Sequence, residues 1–191
     1  DDLKNILKSV FYKTDVELAN KKLLSGSTAV VSVVFGDYII TANVGDSRSI
    51  LSSDNKAIDL SFDQKPNRKD EYKRINKNGG FVKNGRVNGQ LAVSRAFGDF
   101  RLKYLENLKK SPVISDPEIT VHKIKKLDQY LILACDGLWD VYNSNDVVNY
   151  IDSQMNKHGN LQICTRNLVL SAIHEKGSTD NVSCLIVDLQ K

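Results

Sequence analysis

The stretch that decides the fold is TAVVSVVF (residues 28–35), the pair Gly36-Asp37, and YIITANV (residues 38–44). The first segment is β-branched and nearly all apolar, which suits a buried strand, and the second returns in the same manner after a tight-turn pair. Gly45-Asp46 makes another turn, and residues 48–51 read as a third short strand. Residues 28–51 therefore predict an antiparallel meander.

Upstream, Leu3, Ile6, Leu7, Val10 and Phe11 fall at i, i+3, i+4, i+7 and i+8. That spacing makes one apolar stripe of an amphipathic helix over about residues 3–20, ended by Ser25-Gly26-Ser27. Downstream, residues 63–88 turn polar. Asn67 is placed to cap a short helix whose inward face is Tyr72 and Ile75, with Gly79 as its left-handed end. Residues 91–99 are more compact, and 100–117 predict a loop containing Pro112 and Pro117.

YLILAC (residues 130–135) is a near-continuous apolar strand, suited to burial on both faces. Ser144 is placed to cap a helix through about residue 157, with Val147, Val148 and Ile151 inside. Asn160 caps a second helix with the stripe Ile163, Leu168 and Ile173, ended by Gly177, and residues 182–189 form a last strand. The plan is α+β, with antiparallel sheets covered by helices.

Composition fits a packed domain and selects no special solvent. The chain has 191 residues, 41% hydrophobic, with 27 basic and 23 acidic side chains for a net charge of +4. Its lysine runs are only pairs (Lys21-Lys22, Lys109-Lys110, Lys125-Lys126), too dispersed to point to nucleic acid or a membrane surface. No segment approaches the ~18 apolar residues of a membrane helix. Cys135, Cys164 and Cys184 are an odd set, each inside an apolar run. They predict reduced thiols in a reducing compartment, cytoplasmic or nuclear. No Cys-x5-Arg spacing occurs, which excludes a phosphate-loop thiol nucleophile.

Four aspartates share one setting, the turn beside a buried strand. Asp46 follows the second strand, Asp136 follows residues 130–135, Asp140 sits four residues on, and Asp180 precedes the last strand. Each alone reads equally as a turn-former. Together they suggest a hard divalent cation, since carboxylates at strand ends need a positive partner and no Arg or Lys lies within three residues of Asp136 or Asp140. His122, His158 and His174 lie away from these turns, which disfavours zinc. Ser27 and Ser94 have no candidate base, so a serine nucleophile is not indicated.

Six blocks in order then resemble the metal-dependent protein serine/threonine phosphatases of the PP2C type. They are SGSTAV (25–30), ANVGDSR (42–48), RVNGQLAVSRAFGD (86–99), VISDPE (113–118), LILACDGLWD (131–140) and GSTDNV (177–182). Lys65-Pro66, Glu71, Arg74-Ile75 and Gly79-Gly80 fit the same family. The resemblance implies an αββα sandwich of two antiparallel sheets flanked by helices. It also implies two Mg²⁺ or Mn²⁺ ions holding a bridging water that attacks phosphorus in phosphoserine and phosphothreonine proteins, in a signalling setting.

By that resemblance Asp136 and Asp180 are ligands of the binuclear centre. Asp46 and Asp140, with Asp136, are ligands of a weaker third metal; Thr28 is close to that site, and residues 62–90 form a flap beside the cleft. The family's Asp-Gly-His-Gly-Gly block does not occur in these residues. Residues 1–191 are therefore expected to be the C-terminal two-thirds of one catalytic domain, without its N-terminal strands, inactive alone and monomeric. The alternative is a non-catalytic PP2C-like adaptor that binds a signalling kinase or another protein.

Overall fold

The computed structural model describes residues 2–103 and 110–190. The predicted 100–117 loop and the Lys109-Lys110 pair thus lie partly outside the described residues. Along the chain run α1 (Asp2–Asn20), β1 (Gly26–Ser27), β2 (Ala29–Phe35), β3 (Tyr38–Val44), β4 (Arg48–Ser53), β5 (Lys56–Asp59) and α2 (Lys69–Lys77). There follow β6 (Val82–Lys83), β7 (Arg86–Val87), β8 (Phe97–Gly98), α3 (Phe100–Lys103), β9 (Glu118–Lys123) and β10 (Asp128–Ala134). The chain continues through α4 (Asp136–Trp139), α5 (Ser144–His158), α6 (Leu161–His174) and β11 (Cys184–Asp188). The fold is mixed, with antiparallel sheets and helices, as expected. No helix among the described residues is long and apolar enough to cross a membrane.

The meander is corrected. β2 and β3 form a hairpin in a sheet ordered β2-β3-β9, but β4 leaves it and pairs with β10 in a second sheet ordered β11-β10-β4-β5. Nor is β2 the buried strand expected: none of its residues is buried, and Val31, Val34 and Phe35 are exposed. A strand pattern does not name the neighbouring strand. Ile50 and Leu51 explain the placement: both are fully buried, and they feed different cores on the two faces of β4.

The chain divides into two compact units, one of residues 1–31, 42–46 and 63–119, the other of 32–41, 47–62 and 120–191. In the first unit, Phe11 packs with Ala42, Val44 and Phe97, its ring 5.1 Å from that of Phe97. A second cluster gathers Ile75, Val87, Val93, Ala96, Leu102 and Val113. The α1 stripe is only partly covered: Phe11 is buried and Ile6 is 55% exposed. Asp15, on the same helix, is buried and accepts from the Gly98 amide at 2.8 Å and from Lys103 Nζ at 2.7 Å on each oxygen. Burial pushes the Lys103 ammonium down from its ordinary range, and Asp15 opposes that shift.

Helix α2 also departs from expectation. Its cap position is Arg68, without a side-chain cap bond, so Asn67 does not cap it. Its buried face is Ile75 and Glu71, while Tyr72 is 48% exposed. Glu71 satisfies its charge with Arg74 and Arg95, each with a guanidinium nitrogen at 2.6 Å. A buried carboxylate with two arginines is as compatible with an interior as an apolar side chain, which is why hydrophobicity alone chose wrongly. Gly79 takes φ +87° after the helix, as predicted.

In the second unit, Ile50, Ile132, Leu138, Val147, Val148, Ile151 and Leu168 share one core. Ile39, Leu51, Leu60 and Leu131 form another. The cap of α5 is Asn143, whose side chain accepts from the Asp146 amide at 2.9 Å, one residue before the expected Ser144. Asn160 caps α6 as predicted, accepting from the Ile163 amide at 3.1 Å. Of the expected α6 stripe, Leu168 is buried, and Cys164 and Ala172 take the places given to Ile163 and Ile173.

Candidate metal centre

Asp136 lies where β10 ends. Its neighbour Cys135 donates its amide to the Ser183 carbonyl at 3.2 Å, and Ala134 pairs with Cys184, so β10 and β11 deliver their ends side by side. The Cys135 Sγ accepts from the Ser183 amide and donates to the Asn181 carbonyl, each at 3.2 Å. The chain then enters the single turn of α4, closed by the Asp140 amide on the Asp136 carbonyl at 2.8 Å. Residues four apart on a helical turn face the same way, so Asp136 and Asp140 share a side.

Asp180 reaches the same corner from the other strand. A Cβ on Gly137 would lie 2.3 Å from the Asn181 carbonyl oxygen, so only glycine permits the approach of the Asp136-Gly137 turn to Asp180-Asn181. Ser178 Oγ locks the contact by donating to the Gly137 carbonyl at 2.7 Å. Asp180 Oδ1 accepts from the Asn181 amide at 2.7 Å. Asp136 is half-buried, whereas Asp140 and Asp180 are exposed.

Asp46 and Thr28 belong to the first unit. Gly45 takes φ +103°, and a Cβ there would stand 2.3 Å from the Thr28 methyl, so Thr28 packs directly on the turn that carries Asp46. Gln64, fully buried, clamps that turn. Its Oε1 accepts from the Gly45 amide at 2.7 Å, and its Nε2 donates to the Asn43 carbonyl at 3.1 Å. Asp46 itself is 4% exposed, and its carboxylate is ion-paired with Lys65 Nζ. Neither Gln64 nor Lys65 was legible as a partner, because each lies 19 residues from the turn it holds. The fixed Lys65-Pro66 pair beside Gln64 was the available signal.

Among the described residues no group of three or more His, Cys, Asp or Glu side chains is placed to hold a metal ion. The carboxylates of Asp136 and Asp180 at the β10–β11 corner are nevertheless hard oxygens, the type of ligand that Mg²⁺ and Mn²⁺ take.

With this geometry in view, kinship is direct. The profile of the family described as Protein phosphatase 2C matches residues 1–182. An Arabidopsis thaliana protein named "Probable protein phosphatase 2C 22" is 37% identical over 198 aligned residues, covering 99% of this chain and 50% of that protein. A solved structure titled as a C. elegans sex determining protein superposes with a TM-score of 0.81 at 30% identity, over 96% of this chain and 45% of the other. A Toxoplasma gondii serine-threonine phosphatase 2C does so with a TM-score of 0.80 at 25% identity, over 97% and 67%. The chain belongs to the protein phosphatase 2C family. It spans about half the length of the curated relatives it matches.

Proposed function

We propose that the full-length protein removes phosphate from phosphoserine and phosphothreonine in other proteins, with Asp136 and Asp180 as ligands of a divalent-metal centre. The observation that supports this is the contact of the two turns, too close for any side chain at position 137, in a chain of this family. A bound Mg²⁺ or Mn²⁺ would lower the pKa of a water and stabilise charge on the phosphoryl oxygens. The chain's own part is to hold Asp136 and Asp180 at adjoining strand ends. Asp140, one helical turn on, is proposed for a weaker additional ion, and Asp46, on the turn that Thr28 packs against, as a candidate ligand within its own unit. At Asp46 a metal would compete with the Lys65 ammonium. Residues 62–90 are proposed to influence substrate choice. The free thiols of Cys135, Cys164 and Cys184 support a reducing compartment.

The test is phosphopeptide hydrolysis by the full-length protein with Mn²⁺ or with EDTA. Turnover is expected only with metal, and Asp136→Asn or Asp180→Asn is expected to lower kcat by at least about a hundredfold. Phosphate release that survives EDTA overturns the metal requirement, and near-normal turnover in either variant overturns the ligand assignment. An adaptor would show no metal-dependent turnover at all.

A further inference from the structure

We propose that Arg48 is a positioning residue: its guanidinium clamps the indole of Trp139 and so fixes the one-turn helix that carries Asp136 and Asp140. The inference rests on the reading of Asp136 as a metal ligand. Arg48 opens β4 directly across from Ala134, the last residue of β10. Its guanidinium carbon lies 5.1 Å from the centre of the Trp139 ring. The same indole donates its N–H to the Ala134 carbonyl at 2.9 Å. The ring is thus held at its edge by β10 and on its face by β4.

Trp139 is the last residue of α4 and precedes Asp140. A helix of one turn has almost no stability of its own, because nucleation costs more than a single closing bond returns. The orientation of the two carboxylates therefore follows whatever fixes the turn, and the buried indole is its largest anchored group. Arg48 is itself held from behind. Its Nη1 donates to Ser144 Oγ at 3.3 Å, and Ser144 Oγ donates to Asp59 Oδ1 at 2.7 Å. The guanidinium thereby joins β4, the end of β5, the start of α5 and the α4 turn. A planar guanidinium can stack on a ring and donate sideways at once, which an ammonium cannot reproduce.

A merely structural role would lower stability and leave metal dependence unchanged. Trp139 is the sole tryptophan of these 191 residues, so once any tryptophan elsewhere in the full-length protein is replaced by Phe its emission reports the clamp without reference to activity. The experiment titrates Mn²⁺ and, separately, Mg²⁺ into the full-length protein as wild type, Arg48→Met, Arg48→Lys and Asp136→Asn. It follows Trp emission alongside phosphopeptide turnover. Wild type is expected to show a saturable emission change that Asp136→Asn abolishes. Arg48→Met is expected to need about tenfold more metal for half the change, with Arg48→Lys in between. Turnover at saturating metal should stay within about threefold of wild type, since the ligands themselves remain.

Half-saturation in Arg48→Met equal to wild type overturns the clamp alone. So does a loss of turnover that no metal concentration restores. If circular dichroism shows Arg48→Met unfolded, Arg48→Lys carries the same test, and an unchanged half-saturation there overturns the clamp. A wild type with neither emission response nor metal-dependent turnover overturns the metal reading itself, and the clamp with it.

Discussion

Glu71 concentrates the chemistry of single residues in this chain. At 1% exposure, burial alone would push its pKa up, but hydrogen bonds from Arg95, Ser94 and Arg74 overcome that and lower it from 4.5 to about 2. A carboxylate whose folded pKa is depressed contributes stability above its unfolded pKa and loses it as pH falls through the folded one. That contribution is therefore complete above about pH 4.5 and fades towards pH 2. Glu71→Gln should cost about 3 kcal/mol at neutral pH by this linkage, and the gap from wild type should close between those two pH values. Urea unfolding at a series of pH values checks it; a gap independent of pH contradicts the assignment. The Asp46–Lys65 pair makes a second case. Lys65→Met leaves a buried carboxylate without its partner and should cost about 2 kcal/mol in the same assay.

Elements were legible where one segment explains itself, and less so where a distant segment decides. The hairpin of β2 and β3, the strand β10, the helices α1, α5 and α6 and the Asn160 cap all follow from local pattern. The route of β4 into the other sheet does not, because Ile50 and Leu51 look the same whichever strand lies beside them. The inward turn of Glu71 was hidden for a similar reason: Ser94 and Arg95 are more than twenty residues away. At the candidate centre the aspartates were visible as turn residues. What brings two of them to one corner is the β10–β11 register and the missing side chain of Gly137. Gly137→Ala should therefore force the two turns apart and cost about 2 kcal/mol as an overpacked contact. Chemical denaturation measures it, and a neutral substitution would show that the turns need not touch.

For the molecule as a whole, family membership spans nearly the full chain while the chain spans about half of its curated relatives. Metal binding should appear as a global property of the full-length protein. An ion held only by the folded state, at a hundred times its Kd, adds about 2.7 kcal/mol to stability. Thermal melting with and without Mn²⁺ should show the gain in wild type and lose it in Asp136→Asn; equal gains in both would place the ion elsewhere. The Asp46 turn has a different consequence. Its negative charge is already met by an ammonium from the same chain. A newly made polypeptide can close this turn in a cell starved of divalent ions, because the lysine serves as resident counter-ion.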